Sequence, residues 1–395
     1  MVPAACIFVS KSKTVTPPDL LLLALLLFTG IQLFFLIFIF SRLIFFKGKT
    51  YEAAAGSELP GVSVIICAWN ELENLKELLP LLEEQDYPTY EILVIDDRST
   101  DGTEEFLRDY CVRSAKVRTI RVNEEYDHIT PKKYAVTIGQ KHARYALSLM
   151  TDADCRPTGL NWISSMASRV GGRKEIVLGF SPYFKEKGLL NWLIRCETFN
   201  TVVQYFSFAL YGLAYMGVGR NLLYRRQLFF DHRGFYGHSK IMGGDDDLFI
   251  NQIATFRNTT INPDPASFMY SIPKKTWSDW FRQKRRHLGV GTLYKPHFKY
   301  LLGLIAGSHV FTWLMALANV VVALILKDMY LLCATGVIFG ARWLLQWLVL
   351  GLVNRRLGST LGWYTMPLMD FTMFLYYLIM GGYNMFVGKA VTRWR

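Results

Sequence analysis

Between residues 62 and 151 the chain alternates short apolar runs with longer amphipathic ones, and this alternation restricts the fold more than any other feature of the sequence. The short runs predict buried strands, whereas the longer runs have the periodicity of helices. Strands that alternate with helices predict β-α-β units and a largely parallel sheet, which is an α/β fold. The predicted strands are Val62–Ala68, Glu91–Ile95, Lys116–Val122 and Tyr145–Thr151, and the predicted helices are Glu71–Glu84, Asp101–Cys111 and Pro131–Arg144.

Polar clusters directly follow three of these strands, at the edge of the sheet where α/β proteins bind their ligands. The clusters are Ala68-Trp69-Asn70-Glu71, Asp96-Asp97-Arg98-Ser99 and Asp152-Ala153-Asp154. Residues i and i+2 of a strand share a face, so Asp152 and Asp154 can converge on one hard cation that also binds phosphate oxygens. An Asp-x-Asp pair alone equally fits a solvated turn, and the convergence of three clusters is what favours a site. Ser99 or Thr100 is expected to cap the helix that follows.

The N-terminal part contains a stretch long enough to cross a bilayer. Leu20–Phe40 is a run of 21 residues without a charge. It is too long for a signal-peptide core and no small-x-small cleavage site follows it cleanly, so a retained anchor is predicted. The basic residues after it, Arg42, Lys47 and Lys49, place the next domain in the cytoplasm, at the inner face of a cell membrane.

Apolar density returns in the C-terminal part. Tyr300–Leu326 and Met329–Val353 are two further candidate membrane helices, and Arg342 in the second should face protein or reach the interface. Leu361–Gly388 is interrupted by Pro367 and Asp370, and its path stays open, because one crossing would put the basic tail 389–395 outside. The predicted division is 1–49 as anchor, 50–298 as cytoplasmic domain after a small-residue linker (50–61), and 299–395 as membrane segments.

The composition indicates which classes of binding partner suit this chain. The net charge of +12 suits phosphates, nucleotides or lipid headgroups, and no nucleic-acid-binding motif accompanies it. The six cysteines are scattered without a Cys-x-x-Cys, which argues against a zinc site and gives no sign of a disulfide framework. The apolar stretch Gly188–Tyr215 carries interspersed polar residues and predicts an amphipathic helix lying on the membrane, with a core helix as the alternative.

Two more segments carry candidate chemistry. Asp245, Asp246 and Asp247 follow a flexible Gly-Gly pair, and three acids exceed what a helix cap requires. Crowded carboxylates raise at least one pKa among them, which suits a general base. The basic run Gln283–His287 follows Trp277, Trp280 and Phe281, and it could bind lipid headgroups or use Arg286 to neutralise a leaving diphosphate.

The order of these motifs resembles the membrane-bound family-2 glycosyltransferases, which include cellulose, hyaluronan and poly-N-acetylglucosamine synthases and ceramide glucosyltransferases. The resemblance covers roughly residues 60–290 and rests on Ala68-Trp-Asn-Glu71, Asp96-Asp97-x-Ser99-x-Asp101-Gly102, Asp152-Ala-Asp154, Asp245-Asp246 and Gln283-x-x-Arg286-His287. It implies a GT-A fold with one N-terminal and two to three C-terminal transmembrane helices. It further implies a nucleotide-sugar donor, UDP-linked in the usual case, and Mn²⁺ or Mg²⁺ as cofactor.

The resemblance also assigns roles. Asp97, with Asp96 beside it, would bind base or ribose, and Ala68, Asn70, Glu71, Lys132 and Asp152 would complete the nucleotide-sugar site. Asp154 would bind the metal that bridges the diphosphate. Asp246 corresponds to the catalytic base, with Asp245 where the family usually has glutamate, and the register within Asp245–Asp247 is open by one. Gln283, Arg286 and His287 would hold the diphosphate and the acceptor end.

One departure from the family pattern bears on the acceptor. His287 replaces the usual tryptophan and offers less area on which an acceptor sugar can stack. We therefore expect transfer of a single sugar to a lipid or lipid-linked glycan. The alternatives are a processive polysaccharide synthase that uses a channel or assembly partner, a non-catalytic binding subunit, and a nucleotidyltransferase, for which the Gly-rich phosphate loop is missing near the first strand.

Overall fold

The computed structural model describes residues 16–51 and 59–387. Cys6, most of the predicted linker 50–61 and the basic tail 389–395 lie outside these residues. The described chain forms a seven-stranded sheet in the order β3-β2-β1-β4-β7-β6-β8 and a two-stranded sheet of β5 and β9. The strands are β1 Val62–Ala68, β2 Tyr90–Asp97, β3 Val117–Val122, β4 Leu147–Asp152, β5 Cys155–Pro157, β6 Ile176–Leu178, β7 Leu222–Arg225, β8 Thr259–Ile261 and β9 Met269–Ser271.

The helices cover both faces of the large sheet and continue into an apolar bundle. They are α1 Pro17–Phe34, α2 Arg42–Phe45, α3 Leu72–Glu83, α4 Thr103–Arg113, α5 Pro131–His142, α6 Trp162–Ala167, α7 Leu189–Leu210, α8 Arg226–Asp231, α9 Asp247–Ile253, α10 Trp277–Gly291, α11 Pro296–Leu326, α12 Met329–Arg356 and α13 Met366–Val387. A π-helical segment, Phe35–Phe40, connects α1 to α2. Short 3₁₀ turns occur at Gly219–Asn221, Tyr236–His238, Pro265–Ser267 and Trp363–Thr365.

The register of the three central strands sets the position of the site. β1 pairs in parallel with β2 and with β4, so Ala68 lies opposite Asp96 and Cys67 lies opposite Asp152. Both faces of β1 and β2 are covered by helices, which explains their nearly continuous apolar sequence. The predicted largely parallel sheet is confirmed, and the four predicted strands lie within three residues of the observed bounds.

Helix α7 corrects one expectation. It does not lie on a membrane surface, because every residue from Val202 to Ala209 is buried. One side of α7 belongs to the core beneath the sheet, and the same core contains Phe35 and Leu43 of the N-terminal helical segment and Val353 of α12. The helix is therefore covered by the sheet and by the apolar bundle at once, and the core-helix alternative holds.

Three described helices, Pro17–Phe45, Pro296–Leu326 and Met329–Arg356, are long and apolar enough to cross a membrane. These lengths indicate association with a membrane. Arg342 of α12 is fully buried, and its guanidinium donates two hydrogen bonds of 2.8 Å to Asp370 of α13, as expected for a charge that faces protein. Pro367 stands in the first turn of α13 and does not interrupt it, while the path of this helix across a membrane stays a prediction.

Candidate active site

The loops after β1 and β2 form one wall of the cleft at the carboxyl edge of the sheet. Asn70 adopts a left-handed conformation (φ 55°), and its amide donates to Ser99 Oγ at 2.9 Å. Asn70 Oδ1 in turn accepts from the Thr100 amide at 2.8 Å. Ser99 and Thr100 therefore join the two loops and do not cap α4, contrary to expectation. The first turn of α4 is instead held by Asp101, whose Oδ1 accepts from the Thr103 amide at 3.1 Å.

The two acids of the second cluster have different surroundings. Asp96 is buried and accepts hydrogen bonds from Arg121 Nη1 at 2.7 Å and from the Ser99 amide at 3.2 Å. Asp97 is also buried and pairs with the neighbouring Arg98, whose Nε lies 2.9 Å from Asp97 Oδ1. Asp96 thus fixes the loop, whereas Oδ2 of Asp97 has no hydrogen-bond partner among the residues that the structure describes.

Asp152 and Asp154 lie at the end of β4 and the following turn. Lys132 lies at the start of α5, and its Nζ lies 3.1 Å from Asp152 Oδ1 and 3.4 Å from Asp245 Oδ2. It therefore links the acid at the end of β4 to the acids before α9. Burial and the charge of Asp152 raise the pKa of Asp154. Burial likewise raises the pKa of Glu71, which accepts from Asn74 Nδ2 at 2.6 Å.

The donor set decides what kind of metal site this edge can form. Within the described residues, no three His, Cys, Asp or Glu side chains come together to hold an ion by themselves. Asp152 and Asp154 supply two carboxylates, and Mg²⁺ in particular is often held by one or two carboxylates with substrate phosphates and water completing its shell. The residues present therefore fit a cation that is shared with a phosphorylated substrate.

The structure separates the three consecutive acids. Asp246 precedes α9, where its Oδ1 accepts from the Asp247 amide at 2.8 Å and its Oδ2 accepts from the Gly219 amide at 2.6 Å. Asp247 accepts from Tyr294 Oη at 3.0 Å, on the core side of the helix. Asp245 and Asp246, but not Asp247, line a small pocket together with Lys132 and Asp152. Gly243 and Gly244 both have positive φ, which permits the sharp turn before these acids.

The pKa values of the two pocket acids move in opposite directions. Burial, followed by the charge of Asp245, raises the pKa of Asp246. Burial also acts to raise the pKa of Asp245, but the charge of Lys132, a backbone hydrogen bond and the charges of Lys133 and Arg286 together leave this pKa below its ordinary value. A pair of neighbouring acids with separated pKa values is typical of a site in which one carboxylate takes up a proton.

The motif on α10 is divided between packing and the cleft. Lys284 is buried and forms an ion pair with Glu197 of α7, and Trp280 packs in a cluster with Met380 of α13. Gln283 Nε2 lies 3.5 Å from Tyr183 Oη, and His287 is exposed. Arg286 lies close enough to Asp245 for its charge to lower the pKa of that acid.

Two basic residues of the cleft were not predicted from the sequence. Arg220, in the 3₁₀ turn before β7, lies over the ring of Tyr183 with 4.5 Å between the guanidinium carbon and the ring centroid. Lys133 is buried, and its Nζ donates to the carbonyl oxygens of His238 and Ile241 at 2.6 Å each. The available sequence signal for Arg220 was a Gly-Arg-Asn turn at the start of a strand, and for Lys133 a lysine on the apolar side of α5.

One family model and two known proteins are similar to this chain. The family model for glycosyl transferase family 2 matches residues 63–232. Glycosyltransferase AglE of Haloferax volcanii is 30% identical over 130 residues, which are 32% of this chain and 41% of that protein, so the chain spans about two fifths of this relative's length. The mannosyltransferase PcManGT from Pyrobaculum calidifontis, solved with GDP-Man and Mn²⁺, superposes with a TM-score of 0.56 at 20% identity, over 91% of this chain and 99% of that one.

The likeness to PcManGT confirms the GT-A-type sheet with an N-terminal and two C-terminal apolar helices. The family model begins one residue inside β1 and ends just after α8, so it contains the first three acidic and polar clusters and the turn that carries Arg220. Asp245, Asp246 and α10 lie beyond it. Over residues 63–232 the chain is therefore similar to glycosyl transferase family 2.

Proposed function

We propose that the chain is an inverting glycosyltransferase that moves a sugar from a nucleotide sugar to a hydroxyl group of a lipid or lipid-linked glycan, with its α/β domain on the cytoplasmic side of a membrane. One observation carries the proposal. Asp245 and Asp246 line the same pocket as Lys132 and Asp152, at the carboxyl edge of a sheet whose family transfers glycosyl groups.

The donor would lie along the strand ends. Asp97, with Asp96 beside it and with Ala68 and Asn70 from the loop after β1, would bind base and ribose. Glu71, Lys132 and Asp152 would contact the rest of the nucleotide sugar. Asp154 would hold Mn²⁺ or Mg²⁺, which when bound would neutralise charge on the diphosphate leaving group. Arg286 of α10, whose charge lowers the pKa of Asp245, would add a second positive charge there.

Asp246 is the proposed base. The amides of Gly219 and Asp247 fix its two oxygens, so the orientation of the carboxylate is set before substrate binds. It would take the proton from the acceptor hydroxyl while the oxygen attacks the anomeric carbon in line with the leaving diphosphate, which inverts the configuration there. Its raised pKa suits proton uptake, because a base works best when its pKa approaches the working pH.

The acceptor is proposed from two further features. Tyr376 and Met380 of α13 pack against Trp280 of α10, so the helix that carries the acceptor motif lies directly on the apolar bundle. A lipid-borne hydroxyl could reach Asp246 from that side. His287 offers less stacking surface than tryptophan, which supports one addition per encounter over processive synthesis.

A product assay tests the proposal. Membranes containing the full chain would receive labelled UDP-glucose, UDP-galactose, UDP-N-acetylglucosamine or GDP-mannose, with Mn²⁺ and a lipid extract. GDP-mannose is included because the structural neighbour PcManGT was solved with GDP-Man. Asp246→Asn keeps the size of the side chain and removes the base, and Asp109→Asn, at an exposed position of α4, is the matched control.

The expected product is an organic-soluble species of one defined size that depends on Asp246 and not on Asp109. Label in a high-molecular-weight fraction would support the processive synthase and contradict the argument from His287. If the wild type and Asp109→Asn gave no more labelled product than Asp246→Asn with any donor, the result would contradict catalysis and favour the binding-subunit alternative.

A further inference from the structure

The turn Gly219–Asn221 is held in place by Asn221, whose side chain is fully buried. The amide nitrogen of this side chain donates to the carbonyl oxygens of Phe180 and Ser267 at 2.7 Å each, and its oxygen accepts from Trp162 Nε1 at 3.0 Å. On the other side of the turn, the Gly219 amide is bonded to the proposed base. Because both of its neighbours are fixed, Arg220 has a backbone position that is set by the fold, and its side chain lies over the ring of Tyr183.

The Arg220 guanidinium has no hydrogen-bond acceptor among the residues that the structure describes. Among these residues the guanidinium contacts the face of the Tyr183 ring. Such a cation–π contact leaves the N–H groups of the guanidinium without a hydrogen bond. A guanidinium has five N–H donors in a fixed plane. Donors at a partly buried position favour an acceptor that arrives with a ligand, because leaving them unbonded is costly.

The charges around Arg220 indicate which ligand that is. Met150 of β4 lies opposite Leu222 of the antiparallel β7, so the turn that carries Arg220 lies beside the end of β4, where Asp152 stands and Asp154 follows. Yet no oxygen of either acid lies within ion-pair distance of the guanidinium in the described chain. Arg220 is therefore near the proposed metal-binding acids without being neutralised by them, and phosphate is the anion that a cation on Asp154 would bring there.

The order of the strands then distinguishes the two phosphates of the donor. Asp97 ends β2, the acids Asp152 and Asp154 follow β4, and Arg220 precedes β7, so these groups occur in the sequence β2, β1, β4, β7 across the sheet edge. A donor whose nucleoside lies at Asp97 and whose diphosphate lies at Asp154 has its distal end beside Arg220. That distal end is the phosphate that carries the sugar.

We propose that Arg220 is a donor-binding residue that contacts the sugar-bearing phosphate of the nucleotide sugar. The planar guanidinium can present two parallel N–H groups to two phosphate oxygens, which a lysine cannot do. The inference rests on the proposed function, since it takes the nucleotide-sugar donor and its orientation from there. It adds a residue outside the acidic motifs and outside the motif on α10.

Binding experiments without turnover test this assignment. The purified full chain would be titrated with UDP and UMP, and with GDP and GMP, in the presence of Mn²⁺. Each pair keeps base, ribose and first phosphate and differs in the terminal phosphate. The variants are Arg220→Gln, Arg220→Lys, which keeps the charge without the planar fork, and Arg257→Gln at an exposed position before β8 as the matched control. Thermal unfolding would be measured for each variant.

We expect Arg220→Gln to weaken binding of the diphosphate about tenfold or more and to change binding of the monophosphate by less than about twofold. The diphosphate affinity of Arg220→Lys should lie between those of Arg220→Gln and the wild type, and the affinity of Arg257→Gln should match the wild type. Equal losses for diphosphate and monophosphate would overturn the assignment to the terminal phosphate, and so would an unchanged diphosphate affinity. Failure of the wild-type protein to bind either UDP or GDP would overturn the proposed function itself. That outcome is distinguishable from failure of the Arg220 assignment, because it is seen in the wild type, without any variant. If Arg220→Gln fails to fold, Arg220→Lys provides the comparison.

Discussion

Lys133 ties α5 to the loop that leads to the proposed base, and replacing it should loosen that loop. Its ammonium is buried and donates to the carbonyl oxygens of His238 and Ile241, five to eight positions before Asp246. Lys133→Met keeps the length and the apolar stem of the side chain but removes both donors. The Ile241 carbonyl, which is partly buried, then loses its bond from Lys133, while the His238 carbonyl keeps the bond that it accepts from the Ile241 amide at 3.1 Å, so the local cost is about 1–3 kcal/mol.

Part of this cost is offset in the variant. Burial lowers the pKa of Lys133 to about 8, which shows that the charged form is held at a penalty that methionine avoids. We therefore expect a moderate fall in global stability and a concentrated effect on the loop 238–246. Turnover should fall at least tenfold because the orientation of Asp246 depends on this loop, whereas donor binding at Asp97 should change little.

Hydrogen exchange and steady-state kinetics would measure the two effects. Amides of the loop 238–246 should exchange faster in Lys133→Met, and kcat should fall more than KM for the donor rises. Lys141→Met, at an exposed position of the same helix, is the matched control and should resemble the wild type. Unchanged exchange in the loop together with normal turnover would refute the positioning role of Lys133.

Three further predictions follow from other parts of the structure. Asp245→Asn should move the acid limb of the kcat/KM profile to lower pH, since Asp245 helps to raise the pKa of Asp246, and an unmoved limb would contradict that coupling. Asp154→Ala should weaken Mn²⁺-dependent nucleotide binding in a titration, and an unchanged Mn²⁺ dependence would remove Asp154 from the metal site. Arg342→Leu should destabilise the bundle by about 3–5 kcal/mol in thermal unfolding, because it removes the guanidinium that balances the charge of the buried Asp370, although Gln346 and Trp313 still donate hydrogen bonds to that carboxylate. Adding Asp370→Leu should recover part of the loss.

The central sheet could be predicted because its evidence is local. A fully buried parallel strand must be apolar along its whole length, so β1 and β2 stand out as uninterrupted apolar runs. The polar residues after such strands are then brought together by parallel pairing alone. Ala68 opposite Asp96 and Cys67 opposite Asp152 are consequences of that pairing, and no other knowledge of the fold was required.

Helix α7 could not be predicted in the same way, because its polar residues are satisfied by distant partners. Glu197 pairs with Lys284, and Asn200 Nδ2 donates to Tyr377 Oη at 2.6 Å. In the sequence these side chains have the spacing of a solvated stripe, and a helix with such a stripe is expected at a membrane surface. Only the long-range contacts distinguish polar side chains that face water from those that pair inside the protein.

The acids of the cleft are easier to recognise from the sequence than its cations. Asp97, Asp152 and Asp246 stand at the ends or starts of regular elements, where a carboxylate among apolar residues attracts attention in any sequence. The cations come from unrelated elements: Lys132 begins α5, Arg220 lies in a short turn and Arg286 lies on α10. Lys132 could be assigned only through the resemblance to a family, and Arg286 only as one of two interpretations of a basic run. Arg220 resembles an ordinary surface charge until the fold places it near the acids. In a site that must balance acids against a diphosphate, residues such as Arg220 are therefore the ones for which a structure adds most to the sequence, and they are the ones to substitute first.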